Sequence, residues 1–410
     1  MRILVIDHYY PEFDRHSGSL RFFQMLQMLA ARHEVTLSCF EVPEHVLRVG
    51  QAEVGRYREA LLRIGVRVSE LDPLQAMRRS RFDAVLFEFY DSAYRFLHDA
   101  RLLQWPAVTI VDSVDVAFNR LFARARVTGS DKDLRYAEDV KFEEMEAYRK
   151  ADHVITVTEQ DRGILLAEEP ALSVGVVPNI HAIHSLGDDT PRRPDSLVFV
   201  GGFRFDPNVD AMLYFCREVM PLIWQSVPTA TLRIVGDSPP DAVRDLACDR
   251  IEVTGRVPDV HPYLRSSRVS VAPLRYGGGM KGKVGEAMAA GLPVVTTSSG
   301  IEGFGLTPGE NVLVADSPAA FSSAVVTLLR DPAAYEAVRR AGWRFIADRF
   351  SPEAVERQLL GFLGDAVSTP ARRLSGGEKF RRMLPTPVRL WLRKLRQTEV
   401  FRRIEGLRRA

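Results

Sequence analysis

The chain has 410 residues, of which 46% are hydrophobic and 26% charged, with a formal net charge of +2. That is too long for one ordinary hydrophobic core and too polar for a membrane-embedded protein, so two globular domains are expected. Three scattered cysteines, Cys39, Cys216 and Cys248, argue against a disulfide framework or a cysteine metal site, and no run of about 18 apolar residues exists to span a bilayer.

The apolar start Ile3–Ile6 is stopped by Asp7 and His8. It reads as a first strand, not a secretion signal, and a reducing cytoplasmic setting is expected. Residues 18–31 read as a helix, with Leu20, Phe23, Leu26 and Leu29 at three-residue spacing. EVTLSCF, VRVSEL, AVLFEF, AVTIVD, HVITVT and VGVVPN read as further strands. Strands alternating with helices predict a parallel sheet covered on both faces, so residues 1–181 are expected to form a Rossmann-like domain. Residues 182–195 are polar and proline-rich and read as a linker.

The alternation then restarts. LVFVGG, TLRIVGD, IEVTG, VSVAP, PVVTT and NVLVAD are the strands of a second Rossmann-like domain over 196–350, with a helix expected over 209–225 and two helical pieces over 318–350. Residues 351–368 are expected to form a helix that crosses back to the first domain. The fold class is therefore α/β, with two tandem doubly wound domains and a ligand cleft between the carboxyl ends of their strands. The last segment, 369–410, reads as a basic amphipathic tail. Residues 370–410 hold 13 Lys and Arg against 3 Glu, and Val388, Trp391, Leu392 and Leu395 form an apolar stripe. An anionic membrane surface is its expected partner, with a solvated tail as the bland alternative; nucleic acid is not expected.

The densest chemical signal is Arg275–Val295, RYGGGMKGKVGEAMAAGLPVV. Its glycines let backbone approach a ligand, and its lysines stand where a helix begins. Free amides at a helix N-terminus beside Lys281 and Lys283 make a phosphate or diphosphate site. A plain strand-to-helix turn with solvated lysines is the alternative.

This segment, with FVGGFRFDPNVDAMLYF, IVGDSPP, VTGRVPDVHPYLRSSRVSVAPLRY and GIEGFGL, resembles the C-terminal domain of family-four glycosyltransferases of the GT-B fold. The opening IDHYYPEFDRHSGSLRFFQ is similar to the start of bacterial surface-polysaccharide members. The resemblance implies a retaining, metal-independent transfer of a sugar from a nucleoside diphosphate sugar to a hydroxyl, here of a lipid-linked saccharide on the cytoplasmic membrane face, with no cofactor. Lys281, Lys283 and Asp115 are the catalytic candidates it implies. Gly18, Gly202, Arg204, Asp237, Arg256, Gly279, Gly282 and Glu286 join the lysines as donor-binding candidates, with Glu286 on the donor ribose. His8, Asp14, Arg21, Asp112, Arg120 and Glu302 are acceptor-side candidates.

The chain departs from the family pattern in places. The first glutamate of the family's paired glutamates falls at Gly278, its basic pair falls at Gly202 and Asn208, and its histidine falls at Ala117. The loop lysines are expected to replace the lost positive charge. A nucleotide-sugar epimerase or a non-catalytic sugar-nucleotide-binding scaffold remain the alternatives.

Overall fold

The computed structural model describes residues 1–15, 17–186, 191–277, 280–372 and 375–377. Strands β1 (Arg2–Asp7), β2 (Glu34–Cys39), β3 (Arg67–Val68), β4 (Ala84–Glu88), β5 (Val108–Asp112), β6 (His153–Thr156) and β7 (Val174–Val176) form one sheet. Its order is β3-β2-β1-β4-β5-β6-β7, and every pairing is parallel. Strands β8 (Ser196–Val200), β9 (Thr231–Val235), β10 (Ile251–Gly255), β11 (Val269–Ala272), β12 (Val294–Thr296) and β13 (Leu313–Val314) form a second parallel sheet, ordered β10-β9-β8-β11-β12-β13. These are two Rossmann-like domains of the GT-B type. In each, strand order reverses beside the first strand, and a crevice opens there at the carboxyl ends.

The apolar runs follow from burial on both sheet faces. Successive side chains of β1 point opposite ways. Ile3 and Val5 pack with Leu26 and Leu29 of the helix Ser17–Ala30, while Leu4 and Ile6 pack with Phe87, Phe96 and Tyr148 on the other face. The last described helix, Pro352–Ser368, returns to the first domain, where Leu359 and Leu363 cover Ile3, Leu29 and Ile110.

Two expected elements differ in form. The helix expected over 209–225 starts at Asp206 and runs through a π-helical turn, Phe215–Val219, into Met220–Ser226. Pro221 lacks an N–H and would crowd the carbonyl four residues back, and the wider turn accommodates it. The strand expected from VRVSEL is only Arg67–Val68, an edge strand paired with β2 alone.

Gly187 to Thr190 of the linker lie outside the described residues, but its end is firmly tied. The Arg192 guanidinium donates to Leu264 O, Ser267 O, Ala290 O and Gly291 O, satisfying carbonyls left open at two helix C-termini. Most of the basic tail, including its apolar stripe, lies outside the described residues. Its first residues are placed: Arg372 N–H donates to Asp152 Oδ1 at 2.7 Å. Among the described residues no helix is long and apolar enough to cross a membrane.

Candidate functional site

The helix Gly282–Ala289 begins at Lys281, and Gly291 (φ +70°) ends it with the backbone in the left-handed region. Gly277 stands before it at φ +137°, a conformation that L side chains rarely adopt. Gly278 and Gly279 lie outside the described residues, so the donor contact expected of Gly279 is not placed. The N-terminus of this helix faces that of Ser17–Ala30 across the cleft. A Cβ built on Gly282 would stand 3.5 Å from Ser17 Cβ. Gly18, beside Ser17, packs against Val114, the side chain that a Cβ there would meet at 3.5 Å. Amides from both domains therefore converge on one gap, an arrangement suited to an anion.

Both lysines turn inward at this gap. Lys281 is buried; its ammonium donates to Gly277 O at 3.0 Å and lies 3.7 Å from Glu302 Oε2. Burial lowers its pKa, with Glu302 pulling the other way. Lys283 sits beneath, bonded to Asn208 Oδ1 and 4.6 Å above the Phe199 ring. Burial, helped by repulsion from Lys281, lowers it to about 7. Asn208 is itself held by a 2.6 Å bond to Gly202 O. So Lys283 occupies the place beside Asn208 where the resemblance expected a basic residue and the sequence has none. Gly201 also keeps this space open, since a Cβ there would lie 2.8 Å from Lys283 Nζ.

On the same domain, the Gly202–Arg204 loop is tied to the β9 loop by Phe203 N–H on Asp237 O at 2.9 Å. Arg204 and Asp237 are exposed and 3.9 Å apart. Glu286 follows one turn into the helix Gly282–Ala289. It is half-buried, its carboxylate accepts no hydrogen bond from another described residue, and its pKa is raised by burial, partly offset by His261. It is thus an acceptor open to ligand hydroxyls. Arg256 reaches across the cleft instead of staying with its own domain, lying 3.8 Å from Asp14 Oδ2. Asp14 also accepts from Tyr57 Oη at 2.7 Å and Arg56 at 2.8 Å. Burial would raise its pKa, but these bonds outweigh it and hold the carboxyl low.

The opposite wall comes from the first domain. Asp115 pairs with Arg120 at 2.7 Å. Asp161, which the sequence reading did not single out, lies in the first turn of a helix capped by Thr158: Asp161 N–H donates to Thr158 Oγ1 at 2.9 Å. Burial raises its pKa; Asp115 adds to the rise, and Lys281 across the gap opposes it. The Thr-x-x-Asp spacing after β6 was a visible signal for the cap, though not for the lysine facing it. Gly303 (φ +81°) lets the Glu302 loop close onto this wall, since a Cβ there would stand 2.8 Å from Thr158 Cγ2.

Ala117 stands where the family histidine was expected. Its N–H donates to Glu144 Oε1 at 3.1 Å, and Phe118 N–H donates to Glu144 Oε2 at 2.9 Å. Burial raises Glu144 to about 7 against the bonds from Phe118, Tyr148 and Ala117. His8 lies between Asp7 and Asp91, 3.1 Å from Asp91 Oδ2. Burial would lower its pKa, but its bonds to both carboxylates carry it up to about 10. The two carboxylates therefore favour the charged form of His8.

Two acceptor-side expectations are corrected. Arg21 and Asp112 are 1% and 0% exposed and pair with each other at 2.7 Å, with Arg21 also donating to Val177 O. Both lie under the cleft floor and turn no side chain into it. Burying a guanidinium requires a carboxylate partner, and these two satisfy one another.

Comparison with known proteins follows the same lines. Residues 194–331 match the family model described as glycosyl transferases group 1. A search of curated proteins found no match for the chain. Among solved structures, Alr3699/HepE of Anabaena in complex with UDP is 14% identical and superposes with a TM-score of 0.65 over 89% of this chain and 100% of that one. Sucrose-phosphate synthase of Thermosynechococcus elongatus is 16% identical, with a TM-score of 0.64 over 90% and 99%. A putative UDP-N-acetylglucosamine 2-epimerase of Listeria monocytogenes is 14% identical, with a TM-score of 0.52 over 91% and 98%. At these identities the likeness establishes the two-domain fold.

Proposed function

We propose that the protein is a retaining glycosyltransferase that moves a sugar from a nucleoside diphosphate donor, UDP in the first instance, to a hydroxyl of a lipid-linked saccharide in surface-polysaccharide assembly. One observation carries this reading. Two helix N-termini from different domains face one gap, and two inward lysines stand there: Lys281, near Glu302, and Lys283, which rests on a neutral amide. A diphosphate is an anion suited to that setting.

The chemistry follows from that placement. The bond from the sugar's anomeric carbon to the diphosphate breaks, a bond to the acceptor oxygen forms, and the acceptor proton leaves to a basic oxygen. Negative charge grows on the departing diphosphate, where both ammonium groups and both sets of helix amides meet it. Glu286 is positioned for the ribose hydroxyls. Asp161, across the gap from Lys281, would orient the acceptor hydroxyl together with Asp115, while the carboxylates beside His8 favour its charged form. The association with UDP rests on the HepE complex, which contains that nucleotide. The basic tail is proposed to hold the enzyme at the cytoplasmic membrane face.

The test is donor turnover. Purified protein should be thermally stabilised by UDP more than by GDP, by about 2.7 kcal/mol at a hundred times Kd. It should release UDP slowly from a UDP-sugar alone, and faster when membrane extract supplies acceptor. UDP binding without any turnover would favour a scaffold, and conversion of the free nucleotide sugar to an epimer would favour the epimerase reading.

A further inference from the structure

Phe89 carries a backbone strain that the proposed donor site does not use. It lies between β4 and the helix Tyr90–Gln104, at φ +64° and ψ +154°. Only glycine ordinarily adopts that conformation, because a Cβ there crowds the backbone. Core packing does not account for a phenylalanine at this position. Its ring is 37% exposed, whereas the next residue, Tyr90, packs against the core that holds Phe96 and Phe118. The backbone is held from both sides instead: Phe89 N–H donates to Asp112 O at 2.9 Å, and Phe89 O accepts from the buried Ser92 Oγ at 3.1 Å.

The strained residue stands at the cleft. β4 neighbours β1 where the strand order reverses, and Phe89 is the first residue beyond its carboxyl end. From the end of β1, His8 reaches Asp91, two residues after Phe89, at 3.1 Å. Beyond β5, on the other side, Val114 is a second outlier at φ +57°, which is rare for a β-branched residue. Asp112 fixes both, since its carbonyl holds Phe89 and its Oδ1 accepts from Val114 N–H at 3.3 Å. Asp115 follows Val114 and pairs with Arg120 at 2.7 Å. Burial would lower the Arg120 pKa, but Asp115, Glu144 and Tyr90 raise it, so Arg120 also lies near the residue that follows Phe89.

We propose that Phe89 is the platform on which the acceptor's sugar ring lies, and that it thereby helps to determine which saccharides are accepted. The inference rests on the acceptor reading of Asp115 given above. A pyranose turns hydroxyls outward at its rim and C–H bonds to its faces. A phenyl ring buries one face while the rim hydroxyls stay free for Asp115 and Asp161. An axial hydroxyl on the stacked face would lose its water without gaining a hydrogen bond, which selects against it. The strained backbone fixes the ring in advance, so little ordering remains when the acceptor binds.

Two readouts on the full chain test it. Phe89→Gly and Phe89→Ala remove the same ring, but only glycine relieves the backbone. In urea melts Phe89→Gly should be more stable than Phe89→Ala by about fivefold in the unfolding equilibrium, although glycine gains more freedom on unfolding. Acceptor use is read as UDP release from UDP-glucose, titrated with membrane lipid extract. Both variants should need about tenfold more extract for half-maximal stimulation, the loss expected for about 60 Å² of apolar contact. Phe89→Leu, which fills the space without a flat face, should lose acceptor use as well, and Phe89→Tyr should keep it. The UDP-induced thermal shift should match the wild type in all four variants. Wild-type extract dependence in Phe89→Gly, or a Phe89→Ala variant as stable as Phe89→Gly, would overturn the platform. A wild type that shows the UDP shift but no stimulation by extract would overturn the acceptor reading, and the platform with it, while leaving the donor reading in place.

Discussion

Lys283 makes nucleotide affinity depend on pH in a direction that the structure prescribes. Enclosed between Asn208 and the Phe199 ring, and repelled by Lys281, it titrates near 7 in the free protein. A diphosphate in the gap favours its charged form. Binding therefore recruits a proton, and affinity is greatest below pH 7, where Lys283 is already charged. Above pH 7 the charged fraction falls tenfold per unit, from about one half at pH 7 to about one hundredth at pH 9. UDP affinity should fall by about fiftyfold over that range, equivalent to about 2.3 kcal/mol. Lys281 is lowered as well and bends the curve the same way, so the discriminating variant is Lys283→Arg, whose guanidinium keeps its charge. Its affinity profile should be much flatter. Lys283→Met should bind weakly at every pH. Isothermal calorimetry in two buffers of different ionisation enthalpy reads both the affinity and the proton uptake, about half a proton per UDP at pH 7. A wild-type affinity that stays level from pH 7 to 9, with no proton uptake, would refute the placement of Lys283 beside the diphosphate.

Glu286→Gln should weaken UDP affinity and turnover together, each by about tenfold, since a ribose clamp acts in ground and transition states alike; unchanged affinity with lost turnover would assign it a chemical role instead. Asp112→Asn leaves the Arg21 guanidinium buried without its counter-charge and should cost about 3–5 kcal/mol, read as a lower urea midpoint; an unchanged midpoint would mean that the pair carries no such energy. Glu144 has its pKa raised to about 7, so the stability its protonated form contributes is present below the usual glutamate range and lost as pH rises through 7. Glu144→Gln should remove that loss, so that urea midpoints of variant and wild type diverge in the variant's favour between pH 5 and 7; a constant difference would contradict the raised pKa. Truncation after Ser375 should leave UDP affinity unchanged while sharply reducing sedimentation with anionic vesicles; undiminished sedimentation would remove the tail from the membrane reading.

The order of elements was legible in the residues alone, because both sheets are buried on both faces and their strands read as apolar runs between helical periods. The helix Gly282–Ala289 was legible too, since Gly277, Gly291 and Pro293 are backbone constraints that act locally. What the sequence alone left open was every relation between distant segments. Arg21 stood as an acceptor-side candidate because its periodicity does not reveal Asp112, which lies 91 residues away and underneath. His8 looked like a lone histidine until Asp91 came within 3.1 Å and carried its pKa upward. Asp161 was not singled out, and Glu144 carried no local signal at all. Local patterning is set by backbone geometry and by which face meets the core, and each residue expresses it by itself. Charge pairing, desolvation and the facing of two helix ends depend on the surroundings, and only the packing of the two domains brings those surroundings together.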